Sequence, residues 1–306
     1  MMPLPTVATP TYELKLPSSN KKIKYRPFLV KEEKILIIAL ESKSQSEITS
    51  AVKDVLKQCI LTKGVDVDSL PTFDIEYIFL NIRAKSIGEA IKVVVTCPDD
   101  GETEVPITIY VDEIKISKSK DHKTDIVLDD NMTLRMKYPS INQFIETNFD
   151  VNEDPKENVN KTFKIISECI DTIYTQEDAW EAKDYTSDER VQFIEQLNSK
   201  QYKEVEKFFA TMPKLSHTVE VTNPNTKKKS SVVWRVLLIF RLSIAREDLE
   251  SYYRINFALM QYHKYSLTEL ENMMPWERDI YLALLRDYIE NENLKRQQQE
   301  GVQKYG

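Results

Sequence analysis

Five glycines in 306 residues, at positions 64, 88, 101, 301 and 306, are too few and too scattered for most nucleotide or acyl chemistry. Dinucleotide fingerprints, phosphate loops and nucleophile elbows all set glycines a few residues apart, because backbone there must approach phosphate or turn sharply without a Cβ. Gly301 and Gly306 are close, but they stand at the chain end with no helix to follow. Those enzyme classes are excluded. Cysteine is equally sparse: Cys59, Cys97 and Cys169 form an odd, widely spaced set that builds no disulfide framework and fits a reducing compartment. The three histidines, His122, His217 and His263, have no His-x-x-x-His spacing, and each reads as a structural histidine before a catalytic one. The longest apolar run, residues 35–40, has six residues against the ~20 that span a bilayer. The first residues, MMPLPTVATPTYELKL, lack a basic stretch followed by an apolar one, so no secretory leader is expected. A soluble, cytosolic chain follows.

What is present is a globular composition: 41% apolar and 30% charged residues, with 15 Tyr, 11 Phe and 3 Trp. At roughly 150 residues per domain the length allows about two domains. The net charge, 42 − 49 = −7, argues against a surface that tracks nucleic acid or anionic lipid as a whole.

Along the chain the hydrophobic period switches several times. Residues 12–16 and 23–26 alternate around a polar turn and predict a hairpin. Residues 30–42 predict a buried helix. Ser44 and Glu47 form a capping box, in which a hydroxyl accepts an early helical N–H and the acid reaches back; the helix it opens carries Ile48, Val52, Val55, Leu56 and Cys59 on one face. Residues 73–85 show the i, i+3, i+4, i+7 spacing of another helix. Residues 90–96 and 105–111 are β-branched strands around Pro98-Asp-Asp-Gly101 and form the clearest hairpin. Short strands are expected at 125–128 and 133–136. From Ser140 onward helices are predicted, with capping boxes at Ser140/Gln143, Thr186/Glu189 and Ser266/Glu269, and with one helix running over 159–174. Residues 217–221 and 231–236 make a second hairpin. The last helix starts at Pro275, its stripe formed by Trp276, Ile280 and Leu284, and frays after Leu294. The expected class is α+β, predominantly helical with two β-hairpin regions. It divides into an N-terminal α+β domain (1–138) with the central hairpin, a helical segment (139–213), and a second hairpin with a helical C-terminal region (214–306). Val93-Val-Val-Thr-Cys-Pro-Asp99 echoes Val219-Glu-Val-Thr-Asn-Pro-Asn225, either as a true repeat or because hairpins converge on Thr-x-Pro turns.

Candidate sites are few. Cys97-Pro-Asp-Asp-Gly101 has the frame of a zinc knuckle, but Asp100 stands where a second Cys belongs and the turn near Asn223 supplies no ligand, so no metal is expected. Asp66-x-Asp68 starts like a calcium loop and fails at Pro71 and Tyr77. The basic runs at 21–26 and 227–229 read as solvated turns, with phosphate contact as the alternative. Residues 249–288 hold Tyr252, Tyr253, Phe257, Tyr262, Tyr265, Trp276, Tyr281 and Tyr288, more aromatics than one thin helical layer buries. Tyr and Trp anchor protein interfaces. Tyr252, Tyr262 and Tyr281, off the apolar stripes, are the interface candidates, with Trp276 assigned to the core.

Several segments together resemble a known group: KKIKYRPFLVKEEKILIIALES at 21–42, IRAKSIGE at 82–89, the hairpin through Cys97, then REDLESYYRINFALMQYHKYSLTELENM and MPWERDIYLALLRDYIE near the end. They resemble the T4-type phage baseplate proteins that build the central hub of the contractile tail. The resemblance implies a non-enzymatic role in tail morphogenesis, as a hub component or an assembly factor. It implies contacts with other baseplate hub proteins, and no cofactor, catalytic residue, small-molecule substrate or membrane. The implied place is the host cytoplasm during assembly, or the virion tail baseplate. Some relatives carry a Cys-x-x-Cys pair in the central hairpin, which Asp100 breaks here. A nucleic-acid-binding module using the basic hairpins is the alternative function.

Overall fold

Alternation in Tyr12-Glu-Leu-Lys15 and Lys22-Ile-Lys-Tyr25 puts their apolar residues on one face. In the computed structural model, which describes residues 9–141, 143, 155–235 and 248–305, these segments pair as β1 (Tyr12–Lys15) and β2 (Lys22–Tyr25), with Leu14 opposite Ile23. Three helices cover that face: α1 (Val30–Glu41), α2 (Gln45–Cys59) and α3 (Thr72–Ser86). Their shared core contains Phe28, Leu36, Val52, Val55, Leu56, Ile75, Ile78 and Phe79. Ser44 caps α2 as expected, accepting the Glu47 N–H at 3.4 Å. Asp74 of α3 is fully buried and accepts both the N–H and the hydroxyl of Ser18, which ties the β1–β2 turn to the helix.

Both expected hairpins form. β3 (Ala90–Thr96) pairs with β4 (Glu104–Tyr110). After β5 (Lys115–Ser117), the later hairpin is β10 (Lys214–Thr222) with β11 (Lys229–Arg235), and β5 adds to the free edge of β10. Ile91, Val93 and Val95 of one hairpin and Val219 and Val221 of the other share a core with Phe73 and Leu80 of α3.

Between the hairpins the structure corrects the expectation. The helix predicted over 159–174 is α4 (Pro155–Glu168), and residues Ile170–Tyr174 are a strand, β8. β8 is the third strand of an antiparallel sheet ordered β6 (Asp125–Val127), β7 (Thr133–Met136), β8, β9 (Ala179–Glu181). Ile170 and Ile173, three residues apart, suit a helical stripe and would fall on opposite faces of a regular strand; a bulge opposite Arg135 and Met136 sets them against Met136 and Leu134, and this pairing with β7 supplies backbone partners that the sequence does not display. Helices α5 (Ser187–Glu195) and α6 (Ser199–Thr211) close over this sheet around Leu134, Ile166, Ile194, Val205 and Phe208. The boundary drawn at 138 therefore cuts the sheet, and the one at 213 cuts the β5–β10 pairing. Among the described residues the class is mixed α+β with small antiparallel sheets, and they contain more strand than two hairpins supply.

The chain ends in α7 (Leu249–His263), α8 (Leu267–Glu271) and α9 (Pro275–Tyr305), where α9 stays helical past Leu294. Capping boxes at Thr186/Glu189 and Ser266/Glu269 are complete, and a further one, Asn198/Gln201, opens α6. At Ser140 the N–H donates to Gln143 Oε1 at 2.8 Å. Among the described residues no helix is long and apolar enough to cross a membrane.

His122 joins the hairpin and sheet regions. Its Nδ1 lies 3.0 Å from Thr211 Oγ1 and its Nε2 3.0 Å from the Tyr138 hydroxyl, and the ring stacks on Tyr138 and tilts against Phe208. Burial, aided by Lys118, lowers its pKa. The unfolded chain then binds more protons below its ordinary value of about 6.5, so this contribution to stability is complete above that pH and is lost as pH falls toward the lowered folded value. Denaturant midpoints measured from pH 5 to 7 should rise with pH, and His122→Gln should flatten that rise.

Candidate partner-binding surface

The first turn of α1 carries two adjacent acids, Glu32 and Glu33, and both are buried, at 0% and 3% exposure. A carboxylate taken out of water needs a cation or several donors. Glu32 is met by Arg26, whose Nη1 and Nη2 lie 3.2 and 3.1 Å from its two oxygens, and it also accepts the Leu29 N–H at 2.6 Å, capping the helix. Glu33 is met from the far end of the chain: Arg278 of α9, fully buried, places Nη2 3.3 Å from Glu33 Oε2. Its guanidinium sits over the ring of Tyr252 at 5.5 Å. Around this pair the Val30 N–H donates to the Met273 carbonyl at 2.8 Å, and Lys31 and Lys34 reach Asn272 and Glu271. The apolar part of the joint is small: Val30, Ile37 and Tyr252, flanked by Leu249 and Met273.

With Arg278 turned inward, the apolar row Trp276, Ile280, Leu284 and Tyr288 of α9 points outward, at exposures of 38, 50, 59 and 64%. Trp276, Ile280 and Leu284 of this row are the stripe expected to be buried, and the structure turns it outward. On α7 the buried row is Tyr252, Asn256 and Leu259, while Tyr253, Phe257 and Met260 are exposed by 50, 62 and 40%. On hydrophobic spacing alone, Leu249, Tyr253, Phe257 and Met260 would form the inner row. The structure is turned by one position because Tyr252 covers Arg278 and Asn256 follows it into the joint.

Of the three interface candidates, Tyr262 and Tyr281 are exposed, by 71% and 49%. Tyr252 is a correction: at 1% exposure it lies beneath the surface, and burial pushes its hydroxyl pKa up to about 12. Tyr253 and Phe257 hold the outward position instead. Their signal in the sequence was the aromatic density, which does not say which row is out. Tyr253 also lies under Lys34, 5.4 Å from its ring centre.

The other sites do not gather into a catalytic set. His122 is held between two hydroxyls, and His217 faces Glu113 at 3.8 Å. Arg26, counted in the first basic run, is spent on Glu32, which leaves that hairpin with its lysines alone. Cys59, Cys97 and Cys169 are free and buried. A cavity of about 380 Å³ lies between β8, β9 and α5, lined by Ile170, Ile173, Trp180, Tyr185 and Phe193 with Arg190 at its edge. Its walls are mostly apolar, with Glu189 as a further lining residue, and Glu189 also accepts the Thr186 N–H and hydroxyl as a helix cap. Sequence periodicity does not display the cavity, because one wall, β8, falls in the segment predicted as helix and β9 in a segment with no predicted element.

The exchanged burial of Tyr252 and Trp276 predicts their stabilities. Tyr252→Ala should cost about 3–5 kcal/mol, as other buried aromatic truncations do. Trp276→Ala, on the exposed row, should cost much less. Urea titrations of both variants check the order, and equal losses would contradict the placement.

Comparison with known proteins bears on this surface. A family model described as T4 bacteriophage base plate protein matches residues 9–240. A second, described as Baseplate hub assembly protein Gp51 C-terminal domain, matches residues 244–293, the stretch that contains α7, α8 and the apolar half of α9. No curated protein and no solved structure matches the chain. Residues 244–293 are thus similar to a hub-assembly C-terminal domain, and with three quarters of its length matched by the first model the chain belongs to the T4 bacteriophage base plate protein family.

Proposed function

We propose that this protein acts without catalysis in tail morphogenesis, as a component or assembly factor of the baseplate central hub. It binds another hub protein through the outward rows of α7 and α9. The observation that carries the reading is the concentration of exposed large apolar side chains on these two helices, among them Tyr253, Phe257, Tyr262, Trp276, Ile280, Tyr281 and Tyr288. Solvent-facing apolar groups in such number are unfavourable unless a partner covers them, and aromatic anchors concentrate interface energy. The same stretch matches the hub-assembly domain model. On this reading the protein works in the host cytoplasm while tails assemble, and it needs neither cofactor nor small-molecule substrate. Its net charge of −7 and the use of Arg26 inside the fold weigh against the nucleic-acid alternative.

Co-purification from infected cells, with mass spectrometry of what is retained, identifies the partner. Tyr253→Ala/Phe257→Ala, Tyr262→Ala and Tyr281→Ala should keep the melting temperature near that of the parent. At least one should weaken binding by about thirtyfold, the equivalent of ~2 kcal/mol at an anchor. If all of these variants capture hub proteins as the parent does, the docking surface lies elsewhere. Retention on DNA that falls steeply with salt would favour the alternative.

A further inference from the structure

The two sequence-related turns have the same backbone and lie against each other. In Cys97-Pro-Asp-Asp-Gly101 the Gly101 N–H donates to the Cys97 carbonyl at 2.9 Å; in Asn223-Pro-Asn-Thr-Lys227 the Lys227 N–H donates to the Asn223 carbonyl at 2.9 Å. The fifth residue is left-handed in both, with φ of 70° at Gly101 and 61° at Lys227. The first residue is buried in both, Cys97 and Asn223 each at 1% exposure, and its N–H closes the hairpin mouth onto Thr103 or Lys228. The β1–β2 turn has the same geometry, with the Asn20 N–H on the Leu16 carbonyl at 2.8 Å and φ of 56° at Asn20, so the agreement marks a shared turn type and does not require a repeat.

Across the gap the contacts are polar. Asn223 Nδ2 donates to Asp100 Oδ2 at 2.7 Å and to the two oxygens of Asp99 at 3.0 and 3.2 Å. The Thr226 hydroxyl donates to Asp99, and Asn225 Nδ2 to Thr103 Oγ1 at 3.0 Å. Within its own turn, Asn223 Oδ1 accepts the N–H groups of Asn225 and Thr226 at 2.8 and 3.2 Å. Asp100 does the same for Glu102 and Thr103 at 3.1 and 3.0 Å. Two facing turns with ligands at their first and fourth positions are the frame of a ribbon-type metal site, which holds an ion with four sulfur or imidazole ligands; here the side chains seen to meet are Asn223 with Asp99 and Asp100, and Thr226 with Asp99. The donors present do not fit zinc. One thiol stands at the first corner, and burial together with the Asp99 and Asp100 carboxylates raises its pKa and disfavours the thiolate a metal would need. At Asn223 and Thr226 an amide N–H and a hydroxyl point at carboxylates as donors.

We propose that residues 97, 100, 223 and 226 are the four corners of a knuckle pair that this chain closes without metal. The Asp99–Asp100 to Asn223–Thr226 hydrogen bonds do the joining that a tetrahedral ion does in a metal ribbon. The clasp links β3–β4 to β10–β11 across more than a hundred residues of chain and fixes the relative placement of the two hairpins. It makes their union independent of metal supply.

Restoring the corners tests this. In the full-length triple variant Asp100→Cys/Asn223→Cys/Thr226→Cys, Cys97 completes a four-thiol set. Under reducing conditions it should take up one Co²⁺ per chain with the absorption of tetrahedral thiolate, and its melting temperature should rise on metal addition. The parent should take up none and should melt at the same temperature with or without chelator. A folded triple variant that binds no stoichiometric cobalt, or a parent that is purified with stoichiometric zinc, overturns the proposal. Should the triple variant fail to fold under either condition, a double-mutant cycle decides. Asp100→Ala and Asn223→Ala should together lower the melting temperature by less than the sum of their separate losses. Additive losses would show that the two turns are not clasped.

Discussion

Two neighbouring acids that must both leave water set the arrangement of this protein. Glu32 and Glu33 share the first turn of α1, and burying them is tolerable only if each finds its own cation. One finds Arg26, six residues away and already at the end of the β1–β2 hairpin, so that pairing is local and joins hairpin to helix. The other has its arginine at the start of α9. Such a pair adds little net stability, because desolvation offsets the attraction, but removing either partner strands a charge at a cost of about 3–5 kcal/mol. The pair therefore acts mainly on specificity: a helix docked in any other rotation would leave Arg278 or Glu33 without a counter-charge.

That constraint reaches the surface. A helix placed by a buried arginine cannot also bury the apolar row on its opposite side, so Trp276, Ile280, Leu284 and Tyr288 are left facing solvent. The same joint takes Tyr252 and Asn256 inward and leaves Tyr253 and Phe257 out. The C-terminal helices thus put Arg278 and Asn256 beside Tyr252 in the internal joint and keep most of their other aromatic residues outside. That is the reverse of an ordinary amphipathic helix and the arrangement expected of a unit that completes its core on a partner. The hub-assembly domain model matches the stretch that contains these helices.

Legibility differed from element to element. The hairpins 12–25, 90–110 and 214–235, the helices α1 to α3, and the capping boxes at Thr186 and Ser266 could be read from the chain, since period, turn residues and caps are local signals. The strand Ile170–Tyr174 could not, because an Ile–x–x–Ile spacing reads as helix and becomes a strand face only through a bulge against β7, more than thirty residues back. The candidate surface was legible as a region through its aromatics. It was not legible residue by residue.

The sequence by itself determined the absence of the common glycine-dependent nucleotide and nucleophile motifs, the order of most elements, the pairing of each hairpin with itself, and the echo between the turns at Cys97 and Asn223. Each of these depends on residues within a few positions of one another. The tertiary structure alone decided that the two turns meet, that β8 joins β7, and that Tyr252 is inside while Tyr253 is out. Those outcomes depend on where a distant carboxylate, strand or arginine comes to rest. Hydrophobic periodicity carries no information on this, because it ranks the faces of a helix by polarity and cannot see the charge that will be buried against one of them.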